Sequence, residues 1–546
     1  MSGSGYAILS SARGTRTSGI PPPGDRGAMS TLSQPESNSE RGVADVERAK
    51  WRATYSATLG QVLATPAADV RDSAERLSGL VRAGLLKFSD LRENPDRFFE
   101  AHRLLVNHGF EQGPGFSIRF TVEYNLFAGT VLELGGPAHL AALERMQADG
   151  TLGCFALTER LAGVNSGLVV QTTATWLPEE ARFLLRTPHD GACKNWISQG
   201  LTATKAVVVA DLITRGTSRG PHAFLVDLRD AHGNPTPGVV LGDMGEKTTG
   251  NDLDNANIRF DDVWLARETL LDRHCDVTPA GDYTHRGGEV LSNMELIGQR
   301  LFTGRVAVAQ GAHEFRRRLF RRTRSHNDAK PCWAPGGGSH SAKTTVMLSA
   351  VPQLRALYAE ADASEARMSA FLAAVEAALC NVLRRGERPS AALVEAVAAA
   401  KVKAVDEAID FCHRLRQEVG SYALMAGTGF EHTDFLQCCK FAEGDSRILM
   451  MKVARDRVKS VAAAKQAERP VPDGMSPREA AAAAELARGL SASAARGVKP
   501  AEAWEEHWVN AYALAAVAIE NIVTRWVGGP GAFTQSTWRS QAASKL

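Results

Sequence analysis

The sequence predicts an α+β fold: an N-terminal helical domain, a central β-barrel-like domain, and a C-terminal four-helix bundle with a shortened helical extension. Three observations lead there. Apolar residues recur at spacings of three and four before about residue 149 and again after about residue 285. Between those blocks the texture changes to short runs rich in Val, Leu, Thr and Phe, broken by Gly, Pro, Asn and Asp, as strands and turns require. The 546 residues are 44% hydrophobic and 23% charged, enough apolar material for large shared cores.

Each part follows in order. "MSGSGYAILSSARGTRTSG" is Ser- and Arg-rich, loosely like a transit peptide but without a convincing amphipathic helix, and "PPPG" follows; residues 1–44 are expected to be disordered. Residues 45–148 form the first helical domain, carried by "VADVERAKWRATYSATLGQVLA", "ADVRDSAERLSGLVRAGLLKFSDL" and "ENPDRFFEAHRLLVNHGF", the last with Pro95 near its start. Residues 149–272 hold runs such as "VVQTTATWL", "ARFLLRT", "LTATKAVVVADLIT" and "NANIRFDDVWL", read as roughly seven or eight strands. Residues 285–465 return to long helical segments with apolar stripes, as a bundle needs, and "DSRILMMKVARDRVKSVAAAK" is the fourth. Residues 466–546 begin with "ERPVPDGMSP" and continue as an Ala-rich helical extension.

Composition narrows the function. A net charge of +2 gives no global field toward nucleic acid or membrane, and neither is expected as a partner. The eight cysteines lack paired spacing, and no CxxC or HExxH occurs, so reduced thiols are expected and a disulfide scaffold or metal site is not. The pair Cys438–Cys439 is read as two buried or half-buried thiols. No apolar run reaches about eighteen residues, so no membrane span is expected. The chain ends in Ser544-Lys545-Leu546, the form of a peroxisomal address read by an import receptor, which points to the peroxisome. The cluster "FRRRLFRRTR" is either a solvated helix face or a holder of phosphate.

The candidate chemistry centres on "KFAEGDSRILM". Glu443 is either a first-turn acid favoured by the helix dipole or a catalytic base. Gly444 lets the backbone approach a ligand closely, while Asp445 and Ser446 suit an N-cap. Taken alone, Thr158 is an ordinary β-branched strand residue, Trp196 an ordinary core aromatic, and "GTG" at 427–429 a weak phosphate-loop signal.

Read together these segments carry more. "CFALTER", "ACKNWISQG", "GDMGEKTTGNDLDNANIRFDDV", "SYALMAGTGF" and "FAEGDSRIL" stand in the order and at the separations of the acyl-CoA dehydrogenase and oxidase superfamily, which residues 50–460 resemble. "TTATW", "GPHAFLVDLRD" and "NDLDNANIRF" resemble the oxidase branch more closely. The resemblance implies FAD as cofactor, an acyl-CoA thioester as substrate and O2 as electron acceptor. It implies that Glu443 is the base that removes the α-proton, with burial raising its pKa. It implies flavin contacts from Thr158, Trp196 (stacking), Ser198 and Asp445, with Gly163 and Gly200 permitting close backbone approach. Gly427 and Gly429 would hold the dinucleotide, and Arg322 (or Arg321 or Arg324) its pyrophosphate, from a neighbouring subunit. A homodimer or higher assembly follows. The chain departs from the pattern at Asp445, usually Thr, and at Ala423 and Ala426, usually Gln and Gly. The competing readings are a dehydrogenase that uses an electron-transfer flavoprotein, and a catalytically silent member of the fold. The segment after Glu443 is also shorter than in typical oxidases.

Overall fold

The computed structural model describes residues 38–163, 169–286, 297–298, 301–333, 345–468 and 474–528. The described residues divide into two units between Lys50 and Trp51, and the division falls inside the first helix, α1 (Asn38–Val62). That helix starts ahead of residue 45, so part of the segment expected to be disordered is helical; after Pro35 no proline interrupts the chain before α1 is established. The terminal tripeptide Ser544–Leu546 lies outside the described residues.

In the second unit, α2 (Val70–Ala83) opens on Asp69, whose carboxylate accepts the amides of Arg71 and Asp72, and closes on left-handed Gly84. Then come α3 (Asp90–Glu93), α4 (Pro95–Gly109), α5 (Gly115–Thr121), a π-helical turn (Val122–Ala128), α6 (Gly129–Leu134) and α7 (Pro137–Asp149). Pro95 and Pro137 sit at helix starts, where a missing N–H costs nothing. The π-turn runs without a break from α5 into α6, and such turns often mark functional positions. Phe98, Phe99, Phe120, Tyr124 and Phe127 bury against Phe371 and Val375 of the bundle.

The middle region is built from β1 (Gly153–Ala156), β2 (Thr173–Leu177), β3 (Arg182–Arg186), β4 (Lys194–Ser198), β5 (Lys205–Thr214), β6 (Thr217–Asp227), β7 (Val239–Asp243), β8 (Asn255–Phe260) and β9 (Val263–Ala266). "NANIRFDDVWL" holds two strands, turned at left-handed Asp262, and "KNWIS" supplies another, which lifts the count to nine. The long strand β5 is the spine: β1 and β2 pair in parallel with its successive halves, and β6 pairs antiparallel on its other edge. β3 and β9 extend this six-stranded sheet past β2. A separate antiparallel sheet runs β4-β8-β7. The two share one core, with Phe183, Val208 and Phe224 from the first and Ile197, Ile258 and Phe260 from the second. The expected barrel is therefore a curled half-barrel: among the described residues no ladder joins the two sheets, so the strands do not close a ring.

A hairpin of β10 (Cys275–Val277) and β11 (Tyr283–His285) precedes the long α8 (Leu301–Ala329). The hairpin β12 (Pro331–Trp333) and β13 (Thr345–Met347) follows it. Then come α9 (Pro352–Arg385), α10 (Ala391–Glu418), α11 (Asp434–Phe441), α12 (Ser446–Gln466), α13 (Pro477–Ala495), α14 (Pro500–Glu506) and α15 (Trp508–Val527). α8, α9 and α10 pack on one another, while α12 touches α10 but packs mainly on α15. By length and composition α9 is apolar enough to cross a membrane; here Leu357, Phe371, Val375 and Leu379 are buried as bundle core.

Candidate active site

Glu443 sits between α11 and α12, outside any helix, with φ 57°, and Gly444 follows at φ 95°. Two successive left-handed residues turn the chain sharply, a conformation that costs a non-glycine residue about 1 kcal/mol or more. The turn is over-determined by its neighbours. Arg305 Nε donates to the Glu443 carbonyl at 3.0 Å. Lys401, fully buried on α10, donates to the carbonyls of Lys440 (2.6 Å) and Gly444 (2.9 Å) and to Ser446 Oγ (3.0 Å). Burial pushes the Lys401 ammonium down to about 8 and Arg305 down to about 10, the latter opposed by the charge of Glu443. A first-turn role for Glu443 is excluded, because α12 begins at Ser446 and its N-cap is Asp445, whose carboxylate accepts the Arg447 amide at 2.7 Å.

The Glu443 carboxylate is buried, with 8% of the residue exposed. Asn125 Nδ2, from the π-turn, donates to Oε1 at 3.1 Å, and the Thr303 hydroxyl donates to Asn125 Oδ1 at 2.6 Å. The carboxylate fills the space above Gly304 on α8, where a Cβ would come well inside 3.0 Å of all three carboxyl atoms. A glycine inside a long helix is unfavourable, and here the reason is the room it leaves for Glu443.

The other face of the π-turn reaches the sheets. Glu123 accepts the Gly153 amide and the Gln199 side chain, each at 2.8 Å. Burial raises its carboxyl to about 8. Gln199 (φ 69°) directly follows Ser198, and Trp196 two residues earlier is also left-handed at φ 60°. Trp196 is 53% exposed, its indole standing out from the core rather than filling it. Thr158 is exposed beside it, its carbonyl accepting the Asn195 amide at 2.8 Å. Ser198 Oγ accepts from Asn255 at 3.0 Å, and Gly200 faces Ala256 where a Cβ would collide. Behind this wall Lys194 and Glu159 form a fully buried pair at 2.9 Å, and Glu159 also binds the Gln171 and Thr172 amides. Gly163 is exposed, and a Cβ added there would meet no described atom within 4 Å.

A second cluster holds Gly427, Gly429 and Arg322. Glu431 accepts both glycine amides, at 2.5 and 2.7 Å, and each glycine is left-handed. Gly429 presses on Phe110 and Leu319, one turn before Arg322 on α8, and Arg322 pairs with Glu111. The arginine cluster is not a plain solvated face. Arg316 is buried on the Ala361 carbonyl and the Phe411 ring, Arg317 pairs with Glu314 and Glu365, and Arg324 pairs with Asp362. Arg321 borders a cleft of about 370 Å³ that it shares with Arg52, Arg103 and Arg317 and with Glu100 and Glu314.

Sequence reasoning missed Asn125, Thr303, Gly304, Arg305 and Lys401. Two left a trace: Gly304 interrupts good helix formers in "LFTGRVAVAQ", and Lys401 is a lone cation in the apolar run "AVAAAKV".

No family model matches the chain. Among curated proteins, it is 36% identical over 245 residues to acyl-coenzyme A oxidase 2, peroxisomal, of Arabidopsis thaliana, covering 43% of this chain and 34% of that one. It is 37% identical over 186 residues to human peroxisomal acyl-coenzyme A oxidase 3, covering 34% and 26%, and 30% identical over 340 residues to an acyl-coenzyme A oxidase of Debaryomyces hansenii, covering 57% and 46%. Over these segments the chain is similar to the acyl-CoA oxidases. The matches span less than half the length of these oxidases. The oxidase fold extends across most of the chain. Acyl-CoA oxidase-2 of Caenorhabditis elegans, bound with FAD, ascaroside-CoA and ATP, superposes with a TM-score of 0.70 at 19% identity, covering 88% of this chain and 76% of that one. Acyl-CoA oxidase 1 of Yarrowia lipolytica gives 0.68 at 21% identity, covering 89% and 75%.

Proposed function

We propose that this protein is an FAD-dependent acyl-CoA oxidase that converts acyl-CoA thioesters to trans-2-enoyl-CoA in the peroxisome. One observation carries the reading. A buried carboxylate, on a strained left-handed residue, is held over a helix glycine by a hydrogen-bond donor, which is the placement a base aimed at a ligand would need. The oxidase homologues supply the substrate class, and the peroxisomal names of two of them supply the compartment.

The residues present fit the flavin. Trp196 offers an exposed ring face, Thr158 an exposed hydroxyl and Ser198 a hydroxyl at the end of β4, and a Cβ at Gly163 would meet no described atom within 4 Å. FAD, when bound, supplies the acceptor for the β-hydride and delivers the electrons to O2, giving H2O2. Glu443 takes the α-proton, and its burial keeps water from competing for it. Arg305 and Lys401 fix the loop so that the carboxylate stays aimed as the proton moves. Asp445 caps α12 through Oδ1, and its buried Oδ2, which has no hydrogen-bond partner among the described residues, is assigned to the flavin contact. Gly427, Gly429 and Arg322 are assigned to the pyrophosphate of a second subunit's FAD, which makes the enzyme at least a dimer. Arg322 would exchange Glu111 for phosphate on binding.

The test is purified protein with a panel of acyl-CoAs from short to very long chains, under air and anaerobically. A yellow protein bleached anaerobically, forming peroxide in air, and silenced in Glu443→Gln with flavin retained is expected. Bleaching without peroxide, with reduction of an electron-transfer flavoprotein, would make it a dehydrogenase. A colourless protein that takes up no FAD would make it a silent member of the fold.

A further inference from the structure

We propose that Asn125, backed by Thr303, is a positioning residue for Glu443: it orients the carboxylate and holds it ionised between turnovers. The inference rests on Glu443 being the base, and it adds a function for the π-turn that the mechanism above does not use.

The geometry is a three-member relay. The Thr303 hydroxyl donates to Asn125 Oδ1 at 2.6 Å, and Asn125 Nδ2 donates to Glu443 Oε1 at 3.1 Å. Asn125 and Thr303 are fully buried. A buried amide has an accepting and a donating end. With Thr303 on its oxygen, Asn125 presents its NH2 group to the carboxylate, so the direction of the donor is fixed. A donor aimed at a carboxylate favours the ionised form over the protonated one. Removing it shifts proton affinity toward the acid.

The π-turn makes the placement workable. Residues two apart on a helix face opposite sides. Glu123 therefore reaches Gln199 and Gly153 on the sheet side while Asn125 reaches Glu443 on the bundle side. The strand end that follows Ser198 and the carboxylate of Glu443 are thus tied to one short segment, Val122–Ala128. The same segment registers base and strand against each other.

The charges facing Glu443 are Arg305 from α8, Lys401 from α10 through the Gly444 carbonyl, and Asp445 with Arg447 from the start of α12; Glu123 lies across the π-turn. Arg305, which is coupled to Glu443, also favours the carboxylate, and Lys401 holds the loop beside it. They are retained in the variants below, so the comparison isolates the amide.

The experiment compares wild type with Asn125→Leu, Thr303→Val and Thr303→Ser. The Glu443 carboxyl is titrated by infrared difference spectroscopy, assigned with Glu443→Gln, and the acid limb of anaerobic flavin bleaching by acyl-CoA is followed over pH. Asn125→Leu is expected to raise the Glu443 midpoint and the acid limb together by about one pH unit or more. Thr303→Val is expected to shift both in the same direction by less, and Thr303→Ser to restore wild-type values. A folded, flavin-loaded Asn125→Leu with both values unchanged overturns the proposal. Should that variant not fold, identical midpoints in Thr303→Val and Thr303→Ser overturn it. If no acyl-CoA bleaches the wild-type flavin, the functional reading fails, and the infrared midpoint still decides what Asn125 does to Glu443.

Discussion

Gly304→Ala is the sharpest single perturbation of this site. The added Cβ would fall well inside 3.0 Å of the Glu443 carboxyl carbon and both oxygens. Helix α8 is held by α4, α9 and α10, so the side chain of Glu443 yields first, not the helix. Reaching ordinary contact distance requires the carboxylate to retreat by about 1 Å, which breaks its 3.1 Å bond from Asn125. Misplacement of a catalytic group by about 1 Å costs on the order of 100-fold in rate, about 2.7 kcal/mol of barrier. Folding stability moves little. Alanine in place of a helix glycine gains about 1 kcal/mol, offset by the lost hydrogen bond to a charged group. The expected result is a protein with wild-type melting temperature and flavin content whose anaerobic bleaching by acyl-CoA is roughly 100-fold slower. Gly311→Ala on the same helix is the control. Its Cβ would meet Phe435 and Val106 at an ordinary 3.7 Å, so it should gain up to about 1 kcal/mol and keep full activity. Undiminished bleaching in Gly304→Ala would refute the placement of Glu443 over that glycine.

Two further outcomes are expected. Because burial lifts the Glu123 carboxyl from 4.5 to about 8, the folded chain retains between those pH values a proton that the unfolded chain has lost, and stability falls as pH rises through that window. Glu123→Gln, which has the shape of the protonated acid, should therefore gain on wild type from pH 5 to pH 8 by a few kcal/mol at most, on the order set by that shift; denaturant midpoints that run parallel across the range would sink the idea. Asp445→Ala should cost about 1 kcal/mol in urea unfolding by uncapping α12, with Asp445→Asn near wild type, and an equal loss in both would show that the charge rather than the cap matters.

Much of the fold was legible in the sequence because it depends on local pattern. The 3.6-residue stripes of α4, α8 and α10, the Pro start of α4, and the Asp445 cap are signals carried within one or two turns. The curled half-barrel was not legible, since closure depends on which strand edges meet, and "NANIRFDDVWL" conceals a turn at Asp262 that alternation alone does not show. Helix α1 ran further back than expected because low hydrophobicity without proline suits a solvated helix as well as a coil.

The site divides in the same way. By itself the sequence singled out the candidate residues: Glu443 before Gly444, "NWIS" on a strand, and paired glycines after "LMA". Only the tertiary structure decided what holds them. Asn125 lies 318 residues from Glu443, Thr303 lies 178 from Asn125, and Lys401 lies 43 from Gly444. Hydrogen bonds act over about 3 Å regardless of separation along the chain, so partners that distant in sequence leave no periodic trace. The identity of a candidate base is a local property of the chain, but its burial and orientation belong to the packed molecule.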